Sequence, residues 1–151
     1  MAKTVGEQMA IINNLHKRHE AIYRDYASKM GFAEMSFWVL YAICCYKRPI
    51  TQYELVRDWG YSKQTVNSAT LKLISEGYIA STDAGTKRRK KMLELTESGE
   101  KFAEGVVYPM IFAERASLNF LSVEERDFFI DVYTKQMDFL ERAIAPVMNK
   151  K

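Results

Sequence analysis

Through the first thirty positions apolar residues recur at mostly three- and four-residue steps: Met9, Ile12, Leu15, Ile22, Tyr23, Tyr26 and Met30. That stripe predicts an amphipathic helix from Val5 to Met30, ended by Gly31. A second helix is expected from about Ala33 to Tyr46, with Phe37, Leu40, Tyr41 and Cys44 on one face and Trp38 and Cys45 beside them. Pro49 prevents the next segment from continuing as helix. Thr51 then suits an N-cap, with Glu54 in the capping-box position and Leu55 and Trp59 apolar, and Gly60 closes this short third helix. Ser62 suits the N-cap of a fourth helix reaching Glu76, whose core face is Val66, Ala69, Thr70 and Leu73, with Gly77 at the left-handed C′ position. Two short helices joined at Gly60-Tyr61 form a helix-turn-helix.

The period then changes. Tyr78 to Thr82 is followed by Asp83-Ala84-Gly85-Thr86, which has turn chemistry, then by the cations Lys87-Arg88-Arg89-Lys90-Lys91, then by Met92-Leu93-Glu94-Leu95. Leu93 and Leu95 alternate with Met92 and Glu94, the period of a half-buried strand, so the segment is expected to be a β-hairpin, the wing of a winged helix. Acidic residues open a fifth helix at Thr96 to Glu100, running to about Asn119 with a kink or break expected at Pro109. Ser122 and Glu125 form a capping box for a last helix to about Ala145, striped by Phe128, Phe129, Val132, Tyr133, Met137, Leu140 and Ile144. The expected fold class is therefore mainly α (α+β): a winged helix-turn-helix with N- and C-terminal helices. A winged-helix lobe already buries its own core, so the broad apolar stripes of the terminal helices must be covered, either by one another within a monomer or, the reading their width favours, by the interleaved helices of a symmetric partner. The chain is read as one domain over 1–151, with a winged helix-turn-helix lobe at 32–100 and dimerisation helices at 1–31 and 101–151.

Composition supports a helical globular chain: 48% hydrophobic and 13% aromatic residues, with only 3 Pro and 7 Gly in 151 positions. The net charge of +3 conceals a strong partition. Between Arg48 and Lys91 nine Lys/Arg face four Asp/Glu, an excess of five, whereas the rest of the chain is slightly acidic. A positive field confined to the middle third is the footprint expected for a polyanionic partner. The adjacent Cys44 and Cys45 offer neither a disulfide framework nor metal-ligand spacing, which points to a reduced cytoplasmic compartment. No window approaches a membrane span and the N-terminus lacks an apolar leader, so no membrane association is expected.

The order of these motifs resembles the MarR family of bacterial transcriptional regulators over nearly the whole chain. The residues carrying the resemblance are Phe37-Trp-Val-Leu-Tyr-Ala42, Ile50-Thr-Gln-Tyr-Glu-Leu55, Ser62-Lys-Gln-Thr-Val66, Glu76-Gly-Tyr-Ile79, Arg88-Arg89 and Leu95-Thr-Glu-Ser-Gly99. The resemblance implies a homodimer that binds a pseudo-palindromic double-stranded operator through two winged-helix lobes, usually as a repressor released by a small molecule or by oxidation. It also places an arginine in the minor groove at Arg89, with Arg88 beside it. An aspartate that commonly precedes this pair is here Lys87, so the wing is expected to depend more on plain charge.

In a helix-turn-helix the second helix enters the major groove. Its outward residues here are Lys63, Gln64, Asn67, Ser68 and Lys72, with Ser62 and Thr65 near the helix start. Gln64 and Asn67 can pair bidentately with adenine, Lys63 can reach guanine or phosphate, and Ser62 and Thr65 suit phosphate. Lys87, Lys90 and Lys91 suit nonspecific phosphate contacts. Control by a small aromatic effector would involve His16, Tyr23, Tyr26, Trp38 and Tyr41, whose rings suit a planar ligand; core packing is the simpler use of the same residues. Cys44 and Cys45 are read as inert core thiols. The chain has no Gly-rich phosphate loop, metal-ligand cluster or nucleophile motif, and only His16 and His19 as histidines, so neither an enzyme nor a cofactor is expected. A winged helix making protein or RNA contacts is the alternative.

Overall fold

One device sets several of the helix starts. The computed structural model describes residues 2–83 and 91–149. In it, α1 (Val5–Lys29), α3 (Gln52–Trp59) and α6 (Val123–Met148) each begin with a reciprocal capping box, Thr4 with Glu7, Thr51 with Glu54 and Ser122 with Glu125. Each box satisfies a backbone N–H at N3 and another at the N-cap, donors that the helix itself leaves without a partner. Helix α4 (Lys63–Ser75) begins more simply, with Ser62 Oγ accepting from the Thr65 N–H at 3.1 Å.

Residues Met1–Pro109 and Met110–Lys151 form two compact units, divided within α5 (Glu97–Asn119). In the first, α2 (Glu34–Tyr46) is the central element, with Ser36, Phe37, Val39, Leu40, Ala42, Ile43 and Cys44 buried. So many buried positions on one helix mean neighbours on several sides, which is why its hydrophobicity does not confine itself to one stripe. Helix α4 turns Val66, Ala69, Thr70 and Leu73 inward, the face its sequence predicts. The Thr70 hydroxyl is fully buried and, among the described residues, has no hydrogen-bond partner.

The sheet has the order β1-β3-β2 and is antiparallel throughout. Strands β2 (Ile79–Asp83) and β3 (Lys91–Leu95) are the expected hairpin, with Ile79 opposite Leu95, Ser81 opposite Leu93 and Asp83 opposite Lys91. Strand β1 (Ile50–Thr51) was not expected from the pattern. Two residues are too few for a readable alternation, and the strand exists because Ile50 pairs with Leu93 and both are buried. Helix α5 is helical through Pro109, without the local break that residue suggested. Helix α6 extends three residues past Ala145, through Pro146 to Met148.

In the second unit, Arg126 donates to Asn119 Oδ1 at 2.8 Å across the turn before α6, and Phe129 stacks on Tyr133 with centroids 5.8 Å apart. None of α6 is buried, and Phe112, Phe120, Phe128 and Phe139 are all exposed.

The end of α4, the hairpin and the start of α5 are tied together at one point. Gly77, left-handed at φ +78°, follows the Glu76 cap of α4, and after Tyr78 the hairpin begins at Ile79. There Thr96 Oγ1 donates to the Gly77 carbonyl at 2.6 Å and accepts from the Gly99 N–H at 3.0 Å, while the Thr96 N–H donates to the Tyr78 carbonyl at 3.0 Å. The close approach requires glycine at 99: a Cβ there would stand 1.9 Å from the Tyr78 carbonyl oxygen. Phe32, Tyr78 and Phe102 pack beside it, with centroids 4.6 to 5.7 Å apart. Because the obstacle is backbone and not a flexible side chain, Gly99→Ala should destabilise the first unit by about 1–3 kcal/mol or more. Denaturant unfolding measures this, and a stability equal to that of the parent would contradict the described packing.

Candidate nucleic-acid interface

The turn between α3 and α4 is built from Gly60 in the left-handed region, φ +67°, followed by Tyr61 and the Ser62 cap. Gly60 N–H closes α3 on the Val56 carbonyl at 3.1 Å. With one face of α4 committed to the core, the opposite face is forced outward. Lys63, Gln64, Thr65, Asn67, Ser68, Leu71 and Lys72 are all exposed on it. Ser62 and Thr65 are partly engaged with each other, their hydroxyl oxygens 2.6 Å apart at the helix start. Gln64, Asn67 and Ser68 therefore supply the amide and hydroxyl groups that can exchange hydrogen bonds with base edges.

Charge is distributed unevenly over the same lobe. Arg48 Nη2 meets Glu54 at 2.7 Å, Arg57 pairs with Asp58 with one contact at 2.8 Å, and Lys72 approaches Glu76 at 3.8 Å. The Arg57 guanidinium, with a hydrogen bond from the Tyr46 phenol, holds the Asp58 carboxyl down at about 2, and Arg48 lowers that of Glu54. Three of the four acids between Arg48 and Lys91 are thus occupied by three of the cations. By sequence count the remaining cations are Lys63, which enters no ion pair among the described residues, and the run from Lys87 to Lys91, with Asp83 the remaining acid. Of that run, Lys91 is exposed at the start of β3. Lys87, Arg88, Arg89 and Lys90 lie outside the described residues.

Helix α3 adds two groups that the sequence pattern passed over. Tyr53 is 70% exposed, and the Arg57 guanidinium stands 5.8 Å from its ring centroid. Their four-residue spacing was the available signal, since it places two side chains together on one helix face.

The aromatic set proposed for an effector is placed differently from a lined cavity. Tyr23 is buried, packed on Trp38 at 4.7 Å and on His19 at 4.8 Å; Trp38 packs on Tyr41 at 5.3 Å, and both meet Trp59. Tyr26 lies against Phe37 and donates to the Val106 carbonyl at 2.7 Å, while His16 is exposed. None of the five lines either of two openings in this unit. The larger, about 610 Å³, lies among Ile43, Cys44, Lys47, Arg48, Glu94 and Tyr108 and their neighbours; the smaller, about 330 Å³, among Cys45, Tyr46, Asp58 and Trp59. Among the described residues no acid, histidine or cysteine cluster could hold a metal, and no helix is long and apolar enough to cross a membrane.

Helix-turn-helix, three-stranded sheet and flanking long helices define a winged-helix fold. It is the fold of solved MarR family regulators. A MarR family regulator from Neisseria meningitidis superposes with a TM-score of 0.76 at 19% identity, covering 95% of this chain and 99% of that one. A MarR family structure from Listeria monocytogenes, complexed with 26mer DNA, gives 0.70 at 18% identity over 99% and 97%. BpsR from Bordetella bronchiseptica, whose DNA binding is regulated by 6-hydroxynicotinic acid, gives 0.65 at 19% over 90% and 94%. No family model and no curated protein matches the sequence.

The two thiols are not alike, which corrects the expectation of two core cysteines. Cys44 is buried, whereas Cys45 is exposed, because consecutive helix positions point about 100° apart and α2 buries only the first of them. Burial, followed by the nearby Glu100 carboxylate, pushes the Cys44 thiol up to about 12. The thiolate is the nucleophile, so Cys44 should stay unmodified by iodoacetamide at neutral pH in the native protein while Cys45 is labelled. Peptide mass spectrometry distinguishes them, and equal labelling of both without denaturant would contradict the burial of Cys44.

Proposed function

We propose that this protein is a sequence-specific, double-stranded DNA-binding transcriptional regulator of the MarR type. It acts as a homodimeric, ligand-responsive repressor on a pseudo-palindromic operator. The observation that carries the reading is α4: one face is wholly committed to the core and the other presents Gln64, Asn67, Ser68 and Lys63 outward. The fold it sits in is one that has been solved with DNA in a structural neighbour. In this reading α4 occupies the major groove, with Gln64 and Asn67 facing bases and Ser62, Lys63, Thr65 and Lys72 positioned for bases or phosphates. Arg89, with Arg88, inserts into the minor groove, where a planar and permanently charged guanidinium suits the negative potential of A·T-rich sequence. Residues 32–100 form the DNA-reading lobe, and residues 1–31 and 101–151 the dimerisation helices. Support for pairing comes from the apolar side chains left exposed on α1, α5 and α6, Leu15, Ile22, Phe112, Leu118 and Phe128 among them. Ligand response rests on the regulated neighbour BpsR.

Light scattering should return a mass twice 17.5 kDa; a monomer at micromolar concentration would remove the symmetric operator from the reading. Titration of duplex from the intergenic region upstream of the gene, followed by fluorescence anisotropy, tests the DNA interface. Binding should exceed that to a scrambled duplex, and should weaken with salt by ~0.9 in the log–log slope for each phosphate neutralised. Gln64→Ala with Asn67→Ala should abolish base preference and leave the nonspecific term. Base preference surviving in that double variant would refute the role of α4.

A further inference from the structure

We propose that Leu71 reads a thymine methyl, which makes it a specificity determinant within the DNA interface; this rests on the reading of α4 as the helix that enters the major groove. Leu71 is 57% exposed, the one large hydrophobic side chain of α4 with that exposure, on a face otherwise made of Lys63, Gln64, Thr65, Asn67, Ser68 and Lys72. The core does not require it, since Val66, Ala69, Thr70 and Leu73 already close the inner side of the helix. Nor does it lie at the margin of that core. Leu71 follows Gln64 by seven residues, so the two directions differ by only about 20° around the helix. It is placed about 10 Å further along the same line, with Asn67 and Ser68 between.

A leucine on that line has no donor or acceptor to offer a base. Against cytosine N4 or guanine O6 it would cover a polar edge without replacing its hydrogen bond, which disfavours both. Thymine alone presents an apolar group in the major groove, its C5 methyl. The polar residues N-terminal to it and the leucine C-terminal to it would then divide the half-site. Gln64 and Asn67 recognise base edges by hydrogen bonds, and Leu71 selects thymine about three base-pair steps away by removing a methyl group from water.

Deoxyuridine differs from thymidine only by that methyl group, so it isolates the contact. A duplex selected by the wild-type protein from a randomised pool would be remade with its thymines replaced one at a time by deoxyuridine. Affinities would be measured for wild type and Leu71→Ala, with thermal melting to confirm that the exposed substitution leaves the fold intact. One thymine in each half-site should lose about four-fold in affinity with wild type on replacement, and nothing with Leu71→Ala. Specific binding with the same deoxyuridine losses in both proteins, or with none in either, overturns the role of Leu71 and leaves the DNA reading standing. Selection that yields no preferred sequence overturns the DNA reading itself, and the Leu71 assignment with it.

Discussion

The hydrogen bonds of Thr96 to Gly77, Tyr78 and Gly99 are the constraint on which the first unit turns. The end of α4, the root of β2 and the start of α5 meet within a few ångströms there. Backbone touches backbone at the crossing, so no side chain at residue 99 could fill or yield in the gap. Fixing the hairpin root to the end of α4 holds the angle between α4 and the hairpin, and fixing both to α5 ties that angle to a long helix.

Around this junction, charge is arranged by subtraction. Acidic residues of α3 and the C-cap of α4 occupy Arg48, Arg57 and Lys72, which would otherwise spread positive potential over the lobe. Lys63 enters no ion pair among the described residues. These pairs are solvent-exposed and each adds little to stability. Their effect is on the shape of the field, since a cation paired at 2.7 Å contributes a dipole at a distance and not a charge. On the proposed DNA reading, that leaves Lys63 at the start of α4 as an unpaired phosphate partner among the described residues.

Much of the local structure is legible in the residues because its causes are local. The Thr51 and Ser122 boxes each span four residues, and the inward face of α4 follows from Val66, Ala69, Thr70 and Leu73 at helical spacing. Strand β1 is not legible in this way, because Ile50 and Thr51 become a strand only when β3 supplies the partner. The aromatic residues of α1 and α2 show the same limit. Spacing places Tyr23, Trp38 and Tyr41 on helix faces, but not whether the rings will enclose space or fill it, and here they fill it against Trp59. The distinction between Cys44 and Cys45 likewise depends on where α2 meets its neighbours.

What the sequence determined by itself is the order of elements, their caps, the helix-turn-helix followed by a hairpin, and the sign and position of the charge excess. All of these depend on interactions spanning a few residues or on a simple count. Tertiary structure decided that Arg48 is paired with Glu54, that Gly99 is needed for backbone contact with Tyr78, and that Leu71 stands exposed. The physical reason is that each of these depends on groups brought together by packing. Arg48 reaches Glu54 across the start of α3, and Thr96 reaches Gly77 across nineteen positions of sequence. Leu71 is left outside only because four other residues of its helix have already filled the core.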